Sequence, residues 1–441
     1  MKKALVVLVA LLMLMCCSFI SIGVNSPYNG IVQSRTVTDS AKLIYSKKFG
    51  TNYKNSPTTP LVVGDTLIVA SGKRLYKLKA ADGTVLNQVD MIESNMYALA
   101  LPLYADGKII VQLDNGTIQA FSFETFESLW IYKDKLAGQS LTPITYSYGY
   151  IYTGFWNGEE ENANYVCISV KDENPEKTTE RKLPRWTYKV KGGFYGAGCT
   201  VTEKFVIFGS DDGKRQSNGE SKIISLFKDN GKLADTLSVK GDIRAGVVYS
   251  EEEDAYYTAA KSGYIYKFRM NKKTGKLAYV NSFATKGGVT ATPIIYNGKI
   301  YVGSSNGSGG DFLVIDADTM KLIYSGKVAG YPQASALVSL GYKETTEKVY
   351  IYITLNVKPG GIVVFEDSEN QKEAIQRELF MPDETMSEYC ISTIATDEDG
   401  NLYYKNDSGN IFAIGRQKET ISLLEWIIRF IVNVINNVIK K

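Results

Sequence analysis

The sequence predicts an all-β fold: an eight-bladed β-propeller of four-stranded antiparallel blades, followed by a C-terminal amphipathic helix. Three observations predict it. Short β-branched and aromatic runs alternate with Asn-Gly, Asp-Gly and other Gly-rich turns, the pattern of successive antiparallel hairpins. One such pattern recurs about every 47 residues between positions 40 and 415, a period that suits a four-stranded blade. The last copy lacks a strand that stands instead at the N-terminal end of the repeats.

The clearest copy runs Ala291-Thr292-Pro293-Ile294-Ile295-Tyr296, turns at Asn297-Gly298, and continues Lys299-Ile300-Tyr301-Val302-Gly303. A Gly-rich loop, the run 312–316, a turn at Asp318-Thr319 and the run 322–325 complete four strands. The same order recurs from Thr59-Pro60, from Pro102 and from Thr142-Pro143. Further copies centre on 205–209 with 223–226, 256–259 with 264–268, and 349–353 with 361–365. The eighth, Leu402-Tyr403-Tyr404 with 411–414, stops after its third strand. The segment Lys42-Leu43-Ile44-Tyr45-Ser46 has the character of a fourth strand and predicts closure of the ring, which leaves no open sheet edge. Seven blades is the alternative, with the copy near 205 or 350 an insertion.

Around the propeller, 41–415, the chain divides into an export signal or N-terminal anchor over 1–26, a linker over 27–40 and the helical tail over 416–441. Lys2-Lys3 followed by an apolar run reads as an export signal. Cleavage after a small residue, lipid attachment at Cys17 and a retained anchor stay open, and each places the body outside the cytoplasm, secreted or held at the cell envelope. In the tail, polar residues from Ser422 to Lys440 recur every three or four positions and leave a wide apolar face. Leu424, Trp426, Ile427, Phe430, Ile431, Val434 and Ile435 on that face form a candidate docking helix for a membrane surface or a protein partner. Packing of this helix on its own domain is the alternative.

Composition excludes several functions. The chain has no histidine, which removes Ser-His-Asp and Cys-His catalysis and His-ligated metals. Without residues 1–26 the balance is 48 basic against 47 acidic residues, so nucleic-acid binding has no electrostatic support. Cys167, Cys199 and Cys390 are too few and too dispersed for a disulfide framework and read as buried thiols.

Pro293, Gly298, Tyr301, Val302, Asp316 and the turn Thr274-Gly275-Lys276 fit one repeat consensus, and the repeat resembles that of the pyrroloquinoline-quinone-type (PQQ-like) β-propellers. That resemblance implies the propeller fold over nearly all of 40–415. Its dehydrogenase members use a vicinal disulfide, a Trp platform, an Asp base and calcium; its cofactor-free members include the propeller lipoprotein of the outer-membrane β-barrel assembly machinery. The one Cys-Cys pair here, Cys16-Cys17, lies in the export segment. Trp130 and Trp186 fall at fourth-strand positions where the family packs Trp between blades. No cofactor and no catalytic or metal-binding residue is therefore expected, and the chain reads as a non-enzymatic binding or assembly scaffold of the cofactor-free branch. The acidic runs 159–161, 211–212 and 251–254 read as solvated loops, and 397–401 as a turn. Insertions at 157–164, 172–185, 211–221 and 357–360 are the expected elaborated surface. Phe155, Trp156, Phe194 and Tyr195 are the candidate binding surface for a glycan or peptide, with inter-blade packing as the competing role. A degenerate quinoprotein or a carboxylate-based enzyme is the remaining alternative.

Overall fold

Runs such as Thr66–Ser71 and Ala255–Ala260 are buried at every position, because a middle strand of a blade has a neighbouring blade against each of its faces. The outermost strands, such as Val85–Asp90, are mostly exposed. In the computed structural model, which describes residues 30–95, 101–215 and 219–416, these strands form eight sheets. Each has four strands drawn in order from one stretch of chain except the last, and two carry a fifth strand from elsewhere. The copies near 205 and 350, weakest in sequence, are complete blades at 200–240 and 337–380, so the count is eight. The predicted export segment 1–26 and the predicted tail helix from Thr420 onward lie outside the described residues.

Blade 8 closes the ring as its truncation predicts. Ala41–Lys48 pairs antiparallel with Asn410–Arg416, outermost on a sheet otherwise built from 395–416. The stretch expected to be a linker is built into the fold over its described part. Ile31–Val32 adds a short parallel strand to the innermost strand of blade 7, Leu337–Ser339. Thr36 and Val37 are then buried between blades 7 and 8. Tyr352 anchors them: its hydroxyl donates to the Val37 carbonyl at 2.9 Å and lies 2.7 Å from Thr36 Oγ1. The 172–185 insertion is likewise no free loop. Its Glu180–Arg181 pairs parallel with Ser128–Lys133, the outermost strand of blade 2, and covers that edge.

Blades dock on one another through aromatic residues of the fourth strand. Trp130 Nε1 donates to the Val170 carbonyl of blade 3 at 3.2 Å, and Trp186 Nε1 to the Lys228 carbonyl of blade 4 at 2.8 Å. Tyr45 repeats the contact at the seam, its hydroxyl donating to the Ala80 carbonyl of blade 1 at 2.9 Å. The receiving turn needs glycine for two reasons. Gly231 has φ of 67°, and a Cβ there would stand 2.7 Å from the Trp186 ring; at Gly83, φ is 69° and a Cβ would stand 2.6 Å from Tyr45.

Between blades 6 and 7 the docking is ionic. Asp367, 1% exposed, accepts from Lys299 Nζ at 2.9 Å, Tyr301 at 2.7 Å and Tyr324 at 2.6 Å. Removing one partner of such a buried pair strands the other charge. Asp367→Ala is expected to cost about 3–5 kcal/mol in chemical denaturation, and the double change Lys299→Met with Asp367→Leu to recover most of it. Native-state hydrogen exchange checks the closure: the amides of 41–48 bonded to 410–416 are expected to be protected and to exchange together with their partner amides.

Candidate functional site

In an antiparallel meander, the turn between strands two and three and the connection into the next blade's first strand lie on the same face. On this face, hydroxyl side chains link successive connections around the axis. Thr142 Oγ1 donates to the Phe194 carbonyl at 2.6 Å and Thr200 Oγ1 to the Val247 carbonyl at 2.6 Å. Gly246 N donates to Thr292 Oγ1 and Thr292 N to Ser335 Oγ, both at 2.9 Å. Thr59 and Ser392 hydroxyls meet at 2.7 Å across the seam. The connections are thereby held as a ring around a funnel of two compartments. One, about 370 Å³, is bordered by Tyr195, Arg244, Lys261, Thr290 and Tyr331. The other, about 530 Å³, is bordered by Asn52, Asn356, Glu388, Tyr389 and Asp407. Both touch Tyr53, Gln333 and Ile391.

Arg244 organises the first compartment. Its guanidinium grips Asp211 with two bonds, Nη2 to Oδ2 at 2.7 Å and Nε to Oδ1 at 3.3 Å. It also reaches Asp242 at 3.2 Å and Glu159 at 3.5 Å, and stacks on the Tyr195 ring at 4.6 Å. Asp211 and Glu159 were expected in solvated loops. Asp211 is instead 3% exposed, because the 2–3 turn of blade 4 folds inward onto the connection bearing Arg244. Burial pushes the Asp211 carboxyl up to about 7, against the pull of Arg244 and with the repulsion of Asp242. In the run 251–254, three of the four residues are exposed, as expected of a solvated loop. Glu253 pairs with buried Lys267 at 3.0 Å, and Asp397 accepts from Asn401 and Tyr403 within its turn, as expected there.

The aromatic quartet separates into two pairs. Phe155 and Phe194 are fully buried in inter-blade cores, and this corrects their candidacy as exposed surface: each lies where a connection turns inward between two blades. Trp156 and Tyr195 are half-buried and meet edge to face at 5.5 Å beside the funnel. Trp156 Nε1 is buried with no hydrogen-bond partner. Arg244, Lys261 and Tyr331 were missed because single residues in Gly-rich connections carry no periodic signal. Lys405 was missed as well. It is fully buried; its Nζ donates to Ser56 Oγ at 2.8 Å and lies 3.4 Å from Asp407. Burial lowers the Lys405 pKa and raises that of Asp407. A Ser-Lys pair is a nucleophile-base arrangement, but both residues are at 0% exposure and no substrate reaches them.

The family described as outer membrane protein assembly factor BamB matches residues 32–159. Residues 32–159 carry PQQ-like propeller repeats. Around the rest of the ring the likeness to solved structures is one of fold. BamB from Moraxella catarrhalis superposes with a TM-score of 0.56 at 14% identity, over 85% of this chain and 100% of that one. Quinohemoprotein alcohol dehydrogenase from Comamonas testosteroni gives 0.60 at 12%, over 90% and 82%. The computationally designed Ika8 protein gives 0.57 at 11%, over 84% and 99%. No curated protein matches the chain in sequence.

The described residues of the ring do not fit a quinone and its calcium. Cys167, Cys199 and Cys390 are free and buried, with no adjacent pair among the described residues. Burial raises the Cys167 thiol to about 12 and the Cys199 and Cys390 thiols to about 11, so they are unreactive. Trp130 and Trp186 are committed to blade docking, and Trp156 stands edge-on to Tyr195. Among the described residues no group of three or more His, Cys, Asp or Glu side chains could hold a metal ion. Where Glu159, Asp211 and Asp242 converge, the Arg244 guanidinium sits between them.

Two predictions follow from the Arg244 cluster. Arg244→Met strands buried Asp211 and Asp242 and is expected to cost about 3–5 kcal/mol in urea unfolding. The Asp211 carboxyl binds its proton more tightly in the folded chain, about 7 against an ordinary 3.8. Between those values the folded state keeps a proton that the unfolded chain releases, so this group's contribution to stability falls from about pH 4 to 7 and levels above. In thermal melts, Asp211→Asn is expected to be less sensitive to pH across that window than the unaltered protein.

Proposed function

We propose that this chain is a non-catalytic scaffold of the cell envelope: an exported propeller that holds a protein partner on its funnel face. The match of residues 32–159 to the outer membrane protein assembly factor family carries this reading. The misfit between the described residues and a quinone supports it from the chemical side: the described cysteines are free and buried, and no group of described side chains could hold the calcium. In the same reading, 1–26 directs export or anchors the chain, and the apolar face of the tail, Leu424 to Ile435, docks to a membrane or to the partner.

A glycan or peptide ligand is the second reading, favoured by the run of Trp156, Tyr195 and Arg244 in contact beside the funnel. Aromatic faces next to hydrogen-bonding side chains suit either ligand.

Cross-linking in native envelopes tests the scaffold reading, comparing the intact protein with a version ending at Gln417. A discrete protein partner is expected with the intact chain, and its recovery is expected to fall at least several-fold on truncation. No partner with either version overturns the scaffold reading; equal recovery with both retains the scaffold and overturns the role of the tail.

A further inference from the structure

The charged groups on the two funnel walls differ in sign. In the first compartment they are Arg244 and Lys261, both cationic; in the second, Glu388 and Asp407, both anionic. Three of the wall charges are held from behind by partners outside the cavities: Arg244 by Glu159, Asp211 and Asp242, Glu388 by Lys358 at 2.6 Å, and Asp407 by Lys405. These partners hold the charged groups in place before any ligand arrives, which lowers the ordering cost of binding. The second wall and the shared wall carry three side-chain amides, Asn52, Asn356 and Gln333. An amide side chain offers both a donor and an acceptor, the complement of a peptide group. A ligand that fills both compartments therefore meets cations at one end, anions with two amides at the other and the Gln333 amide where the two join.

We propose that the funnel is a receptor for a short extended peptide segment of the partner, with an acidic side chain seated at Arg244 and Lys261 and a basic one at Glu388 and Asp407. This rests on the scaffold reading and names the chemistry its partner presents. Tyr195 and Tyr331 supply flat apolar wall in the first compartment and Tyr53 where the two compartments join, with hydroxyls at their rims. Oppositely charged ends also fix the direction of the bound segment, since a reversed chain meets like charge at both ends.

Calorimetric titration of the full-length chain with acetyl-Asp-Ala-Ala-Lys-amide tests the proposal against its neutral counterpart, acetyl-Asn-Ala-Ala-Gln-amide. The charged peptide is expected to bind at least about tenfold more tightly. Lys261→Gln and Glu388→Gln, changes to one exposed and one half-buried side chain, are expected each to weaken the charged peptide about fivefold or more and to leave the neutral one unchanged. Equal affinity for both peptides, or no binding of either at millimolar concentration, overturns the funnel assignment. A partner still cross-linked in envelopes under that outcome leaves the scaffold reading standing and moves the contact elsewhere on the ring.

Discussion

The pairing of Ala41–Lys48 with Asn410–Arg416 is the constraint on which the rest of the structure depends. A blade alone exposes two apolar faces, and each buries them only by lying between two others. With the ring open, blades 8 and 1 would each leave a face to water. The cores themselves show this dependence. One cluster joins Leu67, Val69 and Leu78 of blade 1 to Tyr403, Ile411 and Ala413 of blade 8, so the seam is packed like any other inter-blade contact. The strap of residues 30–40 reinforces the closing strand by running between blades 7 and 8, with Thr36 and Val37 buried, before reaching it.

Closure also sets the geometry at the axis. Each blade is oriented by its docking contact with the next, whether Trp130, Trp186 and Tyr45 on backbone carbonyls or Lys299 and Asp367 in a buried pair. The hydroxyl links between connections then bring loops from different blades into one wall. The funnel is thus a property of the assembled ring: Tyr53, Tyr195, Arg244, Tyr331 and Ile391 come from five separate connections. Such a wall suits recognition, because its groups are placed by the scaffold and the loops themselves are free to vary.

Much of the fold was legible in the sequence because propeller blades are local hairpins, and turn chemistry and strand composition act over a few residues. The closing strand, the fourth-strand tryptophans and the turn at 397–401 belong to this class. The count of eight was legible with an alternative, since blades 4 and 7 have longer or less regular loops. The candidate site was legible only in part. Trp156 and Tyr195 do border the funnel, but Phe155 and Phe194, each next in sequence to one of them, turn into the core. Neighbouring residues in an irregular connection have no period to say which way each side chain points. Asp211 was read as solvated for the same reason: its burial comes from Arg244, 33 positions away in another connection.

Sequence alone determined the repeat, the strand pattern, the ring-closing strand and the absence of histidine chemistry, since each is a matter of composition or of contacts within one blade. Tertiary structure decided what the residues between blades do. It turned residues 30–40 into a strap with Thr36 and Val37 buried, and the 172–185 insertion into an edge cover. It also gathered cations and anions from distant connections onto opposite walls of one funnel. The physical reason is range: hairpin and turn preferences act over a few bonds, whereas the burial and pairing of a side chain depend on what the closed ring brings against it.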